Sequence, residues 1–155
     1  MGSETTEDQD RKFMAEALAE AERGMADGGL PIGAVLVRGG QIVSRGHNQR
    51  VQQGDPIAHG EMDCLRKAGR QRSYRDTVLY TTLSPCMMCT GTILQFGIPR
   101  VVVGEAENFD GNIDFLRERG VEVTLLDDAG CKDAMRRFLA VPGNMELWLE
   151  DIAED

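Results

Sequence analysis

Two short stretches hold residue types capable of metal chemistry: His59-Gly60-Glu61 and Pro85-Cys86-Met87-Met88-Cys89. Together they offer one imidazole nitrogen and two thiols, with a carboxylate two residues past the imidazole. Catalytic zinc is usually held by three protein ligands with a fourth position left for water, whereas structural zinc usually takes four. Cys86 and Cys89 are three apart, so on a helix that begins at Pro85 they share one face. The positive end of such a helix favours the thiolate form that ligation requires. A lone Cys-x-x-Cys can also be a redox pair or half of a structural zinc site. A redox pair has no use for a distant His-x-Glu, and fourth ligands are scarce: His47, Cys64 and Cys131 complete the inventory of histidine and cysteine. Cys64 lies five residues past His59 in the same expected helix and reads as a small apolar residue. The set His59, Cys86 and Cys89 therefore points to one catalytic Zn2+ per chain, with Glu61 outside the ligand shell.

The elements that must position these residues follow from periodicity and breakers. A helix is expected over 6–25, where Phe13, Met14, Ala17, Leu18, Ala21 and Met25 recur at helical spacing before Gly28-Gly29. Residues 32–37 and 41–46 read as a hairpin about Gly39-Gly40. Asn48 follows at once, and Gly54-Asp55-Pro56 turns the chain toward a helix over 59–68. Residues 77–83 form a β-branched and aromatic strand that delivers Ser84-Pro85, and the cysteine-bearing helix runs over 86–96. A buried strand over 100–104, a polar loop over 105–112 containing Phe109, and a short helix over 113–119 come next. A strand over 121–126, an amphipathic helix over 129–139 and a terminal turn or helix over 145–152 carrying Trp148 complete the chain. A hairpin followed by alternating strands and helices predicts a mixed five-stranded sheet with helices on both faces, a three-layer α/β/α fold. Both ligand stretches fall at strand-to-helix junctions on one sheet edge, where open α/β sheets bind ligands.

The 155 residues suit a single domain spanning 1–155, with residues 1–10 expected to be a frayed polar segment. A content of 41% hydrophobic and 28% charged residues is that of an ordinary globular protein. The formal charge of −9 repels phosphates, which disfavours a nucleic-acid polymer as partner and favours a small uncharged substrate. The basic run from Arg66 to Arg75 reads as a solvated helix end and loop. Four cysteines do not make a disulfide framework at this length, and with no leader pattern they indicate reduced thiols and a cytoplasmic setting. No apolar run approaches the length of a membrane span.

The pattern H-x-E…P-C-x-x-C is the signature of zinc nucleobase deaminases, and His59-Gly60-Glu61 with Pro85-Cys86-Met87-Met88-Cys89 resembles the cytidine-deaminase-like superfamily. Within it the chain is most similar to cytosine deaminases of the fungal type. The similarity extends through Gly29-Leu30-Pro31-Ile32-Gly33, Arg45-Gly46-His47-Asn48, Leu79 to Cys86, and Gly97-Ile98-Pro99-Arg100. It continues through Val103-Gly104-Glu105, Asn108-Phe109 and Trp148 to Ile152. The resemblance implies the cytidine-deaminase-like fold, a homodimer, zinc on His59, Cys86 and Cys89, and Glu61 as proton shuttle. It places Asn48 and the Gly60 N–H at the polar edge of a pyrimidine ring, with Ile32, Leu83, Phe109 and Trp148 packed on the ring. Asp151 would add a polar contact, and the Ser84 carbonyl would accept a bond from the departing amine.

The implied reaction is hydrolytic deamination of a free nucleobase, cytosine to uracil plus ammonia, with isocytosine, guanine or a triazine such as ammeline as alternatives. A polynucleotide substrate or a non-catalytic zinc module fits less well: the charge opposes the first, and a structural zinc site has no use for Glu61. Three departures from the fungal pattern flank the expected pocket mouth: Met87-Met88 where the first residue is otherwise acidic, and the segments 111–115 and 141–147. They leave the reaction class untouched and bear on which base is preferred.

Overall fold

A computed structural model describes residues 4–154. Its elements are α1 (Thr6–Ala26), β1 (Gly33–Arg38), β2 (Gln41–His47), α2 (Arg50–Gln53), α3 (Gly60–Ala68) and β3 (Thr77–Leu83), then α4 (Met87–Phe96), β4 (Arg100–Glu105), α5 (Ile113–Glu118), β5 (Glu122–Leu125), α6 (Ala129–Leu139) and α7 (Asn144–Asp151). The expected strands and helices are all present, with ends moved by a residue or two. The short helix α2 lies in what the sequence suggested was only a connection.

The sheet order is β2-β1-β3-β4-β5. β1 pairs antiparallel with β2 and β3, whereas β3–β4 and β4–β5 are parallel. The alternation of side chains along each strand sorts the core into two layers. Ala34, Leu36, Leu79, Val101 and Val103 pack with Cys64 and Leu65 of α3, Ile93 of α4 and Leu116 of α5. Val35, Val37, Tyr80 and Val102 face the other way, onto Phe13, Met14 and Ala17 of α1 and Cys131 of α6. The architecture is therefore the three-layer α/β/α sandwich expected. A third cluster, Leu30, Ile32, Leu83, Met135, Phe138 and Trp148, closes the end of the sheet where β3 runs into α4 and seats α7 against α6.

One expectation is corrected. Residues 1–3 lie outside the described residues, but Thr6–Asp10 are not frayed. Thr5 caps α1 by accepting from the Asp8 N–H at 3.0 Å, and Asp8 returns a bond to the Thr5 N–H, forming a capping box. Asp10 is buried, where its carboxylate accepts from Tyr80 Oη at 2.8 Å and takes two bonds from Arg100, at 2.9 and 2.6 Å. Polar composition suggested fraying because these partners lie 70 and 90 residues away in sequence. The run from Arg66 to Arg75 is exposed at its five basic side chains, as expected of a solvated helix end. No described helix is long and apolar enough to cross a membrane.

Candidate active site

The site forms where β1, β3 and the N-termini of α3 and α4 converge. His59 is the N-cap of α3 and Cys86 the N-cap of α4, both with extended backbone. The cysteine helix thus starts two residues later than Pro85 suggested, with Cys86 on its rim and Cys89 inside its first turn. Gly60 follows His59 because a side chain cannot fit there: a Cβ would lie 2.8 Å from the Ile32 carbonyl oxygen. As the first residue of α3, Gly60 has an N–H without an intrahelical acceptor.

His59 Nδ1, Cys86 Sγ and Cys89 Sγ lie within 4.8 Å of one another. The imidazole nitrogen is 3.4 Å from Cys86 Sγ and 3.8 Å from Cys89 Sγ. Tetrahedral zinc with ordinary Zn–N and Zn–S lengths separates such ligand atoms by about 3.6 Å. The donor set and its spacing therefore fit one zinc ion, and Glu61 stands outside the triad. The opposite ring nitrogen, Nε2, is 3.7 Å from Asp151 Oδ2. A carboxylate behind a metal-binding imidazole orients the ring and raises its basicity.

Without metal the site is electrostatically uneven. A hydrogen bond from Cys89 pulls the Cys86 thiol down to about 4; burial opposes this, and His59 reinforces it. Cys89, which shares that proton and is also buried, is pushed up. Burial opposes a charge on His59, but its hydrogen bond to Cys86 and the negative charges of Asp151, Glu61 and Cys86 prevail and raise it to about 9. Glu61 rises to about 7, first through burial and then through Cys86.

Beside this centre is a small, partly open cavity of about 20 Å³, room for about one water. Ile32, Leu83, Phe109 and Trp148 give it apolar walls, and His59, Glu61, Ser84, Cys86 and Asp151 give it polar ones. Phe109, half-buried, meets Trp148 edge-on, with ring centroids 5.6 Å apart and an interplanar angle of 88°. All nine were singled out by the sequence as ligand, shuttle or contact residues, and the cavity brings them together; the Ser84 hydroxyl donates to the Asp110 carbonyl at 2.7 Å.

Asn48 and Gly60 are placed differently. They are not among the residues that line the cavity, and both side-chain polar atoms of Asn48 are engaged: Nδ2 donates to Asp151 Oδ1 at 3.0 Å, and Oδ1 accepts from the Arg50 N–H at 3.0 Å. Ile152 also lines the cavity and was missed as a site residue. Its position four residues past Trp148, on the same side of the terminal helix, was the available signal.

Outside the cavity lies a wider basin of about 640 Å³. Met87, 58% exposed, and Met88 line one side of it, and Asp110, Gly111 and Asn112 line another. The acidic residues Asp110, Glu150, Asp151 and Glu154 line it along with Arg50 and the ligand His59. Arg50 stands 3.8 Å from Glu150 and 3.7 Å from Asp151, so its charge is already opposed.

Comparison with known proteins agrees with this geometry. Residues 7–105 match the family model of the cytidine and deoxycytidylate deaminase zinc-binding region. A cytosine deaminase of Candida albicans is 45% identical over 148 residues, which cover 94% of this chain and 97% of that protein. A tRNA-specific adenosine deaminase of Streptococcus pyogenes is 40% identical over 107 residues, covering 67% of this chain and 63% of that one. Among solved structures, a guanine deaminase from Nitrosomonas europaea shares the fold with a TM-score of 0.73 at 23% identity, over 83% of this chain and 84% of its own. A triad spaced for zinc, a carboxylate beside it and a match that runs through both motifs lead to one conclusion: the chain belongs to the cytidine and deoxycytidylate deaminase family and is a zinc-dependent deaminase.

Proposed function

We propose that the protein hydrolyses the exocyclic amino group of a free nucleobase, with cytosine to uracil plus ammonia as the favoured reaction. The observation that carries this reading is the closure of the site by the terminal helix. Trp148, Asp151 and Ile152 pack over a cavity with room for about one water. A single six-membered ring requires the Phe109–Trp148 wall to part; a ribose requires a larger opening, and a polynucleotide larger still. The acidic basin outside supports the same reading, since it repels phosphates.

Bound zinc supplies a water whose pKa lies near neutrality. His59, Cys86 and Cys89 would hold the ion, with Asp151 behind the imidazole. Glu61 takes the proton of the attacking water and delivers it to the ring nitrogen next to the amino-bearing carbon, which makes that carbon electrophilic. As the C–O bond forms, Glu61 carries a second proton to the amino group, the C–N bond breaks, and ammonia leaves past the Ser84 carbonyl. Water is consumed and no redox change occurs. Ile32, Leu83, Phe109 and Trp148 hold the ring, and the Gly60 N–H meets its polar edge. Asn48 contributes there through Asp151, or directly once a base displaces that bond.

A second reading, the same reaction on isocytosine, guanine or ammeline, is favoured by Met87 and the 110–112 loop, which border the basin where the chain departs from the fungal pattern. Ammonia release from cytosine, isocytosine, guanine, ammeline, cytidine, adenine and transfer RNA decides between them. Rapid release from cytosine establishes the first reading, and release confined to another free base establishes the second. Turnover of cytidine or transfer RNA at a rate comparable to cytosine overturns both.

The homodimer belongs to this proposal as well. A groove of about 520 Å³ lined by Met62, Leu65, Tyr74, Thr92 and Phe96, with Arg66, Arg70 and Gln71 also in its lining and Phe96 42% exposed, offers a second copy a face to cover. Sedimentation of the wild type against Phe96→Asp tests it, with a monomeric wild type as the contrary result. A cytoplasmic setting follows from the need to keep the ligand thiols reduced.

A further inference from the structure

We infer that Glu105 is a positioning residue for base selection: its buried carboxylate sets the loop after β4 so that Phe109 stands as a wall of the pocket. The part of this inference that concerns a bound base rests on the function proposed above; the part that concerns Phe109 does not.

Glu105 is the last residue of β4 and has no exposed surface. A carboxylate at the buried end of a parallel strand costs free energy unless its oxygens are satisfied. Here they are satisfied by the loop itself. Oε2 accepts from the backbone N–H groups of Glu107 and Asn108, at 2.8 and 2.9 Å, and Oε1 accepts from Asn108 Nδ2 at 2.8 Å. All three donors belong to the two residues before Phe109. Among the described residues no cationic side chain pairs with Glu105, so its contacts serve the loop rather than an ion pair. The carboxylate's own base is fixed as well, because the Glu105 carbonyl accepts from the Ser84 N–H at 2.9 Å and Glu105 stands opposite Leu83 in the sheet.

The far side of Phe109 is pinned independently. Ser84 Oγ donates to the Asp110 carbonyl at 2.7 Å, and Asn112 Nδ2 donates to the Pro85 carbonyl at 3.1 Å. Gly111 permits this approach: its φ is +62°, and a Cβ there would lie 2.0 Å from Ser84 Oγ. The ring between these two anchors meets Trp148 edge-on, a preferred aromatic geometry. Strand, carboxylate, loop and ring thus form one chain of contacts from the sheet to the pocket.

The chain contains a single tryptophan, Trp148, so its fluorescence reports directly on its contact with Phe109. Glu105→Gln keeps the size of the side chain and sets an amide N–H against N–H donors. In the zinc-loaded protein we expect red-shifted emission and about a twofold rise in acrylamide quenching of Trp148. Phe109→Ala should give the same change, and the double variant no further one, as coupled residues behave. For whichever base is turned over, Glu105→Gln should raise KM about 2- to 10-fold, the range one aromatic edge contact supports, with kcat within about twofold. Unchanged quenching, or an effect of Glu105→Gln that persists in full without Phe109, overturns the inference. If Glu105→Gln does not fold, Asn108→Ala removes one donor at a half-buried site, and unchanged quenching there also overturns it. Altered quenching in a protein that turns over no free base leaves Glu105 as the positioner of Phe109 and removes only the proposed function.

Discussion

The amide of Asn48 donates a 3.0 Å hydrogen bond to the carboxylate of Asp151, 103 residues further along the chain. Asn48 sits just past β2 and Asp151 at the end of α7, and both are buried. The other oxygen of the same carboxylate stands 3.7 Å from His59 Nε2, on the side of the ring away from the thiols. The helix that closes the pocket therefore also backs a zinc ligand. Burial raises the Asp151 carboxyl, while His59, the Asn48 hydrogen bond and Arg50 oppose the rise. The carboxylate is held in place by the groups it orients.

Asp151→Ala should accordingly lower zinc affinity or kcat/KM by about 10- to 100-fold, the usual cost of removing a partner from behind a metal-binding histidine. Zinc competition against a chromogenic chelator separates the two effects. If both stay within about twofold of wild type, Asp151 is only an anchor for the tail, the reading its buried position would carry in the absence of His59.

Glu61 gives a pH-dependent expectation. Its folded-state carboxyl titrates at about 7 against an ordinary value of 4.5. The folded metal-free protein therefore binds more protons than the unfolded chain between those values, and stability falls as pH rises through that window. Glu61→Gln removes the ionisation. The metal-free variant should melt above metal-free wild type at pH 8, and the gap should shrink as pH falls through about 7 and vanish only below about 4.5. Glu61→Ala should keep its zinc and lose at least ~100-fold in rate, the lower range for general acid–base catalysis. Equal melting temperatures at pH 8 would contradict the burial argument, and near-normal turnover would remove Glu61 as the shuttle.

Zinc removal should expose the difference between the ligand thiols and the rest. In the metal-free protein Cys86 is pulled down to about 4, chiefly by the Cys89 hydrogen bond, and is partly accessible. Burial pushes Cys64 up to about 12 and raises Cys131 as well, and Cys89 is both buried and raised. Thiolate is the reactive form. A chromogenic disulfide reagent at pH 6 should therefore find no fast thiol in the zinc-loaded protein and one per chain after chelation. Mass spectrometry should place that label on Cys86. Rapid labelling of Cys64 under the same conditions would show that α3 opens when the metal leaves.

Local chemistry was readable from the sequence, whereas long-range pairing was not. The strand over 77–83 and the helix over 129–139 fall where β-branched alternation and amphipathic spacing put them. His59, Cys86 and Cys89 could be matched because each ligand type and spacing is dictated by the metal. Cys64 likewise lies in the apolar core on the buried face of α3, as its helical position implied. The bond that occupies Asn48 was out of reach, since Asp151 is distant in sequence and nothing local marks the pair. The same holds for Glu105, whose loop partners are near in sequence but whose place in the sheet depends on β3. Asp10 shows the failure most plainly: within a polar stretch it looks solvated, and only the folded sheet brings Arg100 to it.

That ion pair supplies the last expectation. Asp10 is buried and holds Arg100 through two bonds, while Tyr80 Oη adds a third. Removing one partner of a buried pair typically costs about 3–5 kcal/mol because the other is left unpaired. Here the Arg100 side chain keeps 18% of its surface exposed, with Glu122 at 2.7 Å and Thr124 at 3.0 Å. Discounted for that relief, Asp10→Ala should cost about 2–3 kcal/mol, read as a lowered urea midpoint with an unchanged slope. Arg100 begins β4, and Glu105 ends it beside the pocket, so the pair braces the end of the strand remote from the zinc ligands. At temperatures where the variant stays folded, kcat should remain within about twofold of wild type. A lost rate without lost stability would mean instead that the position of β4 transmits the state of this ion pair to the loop that carries Phe109.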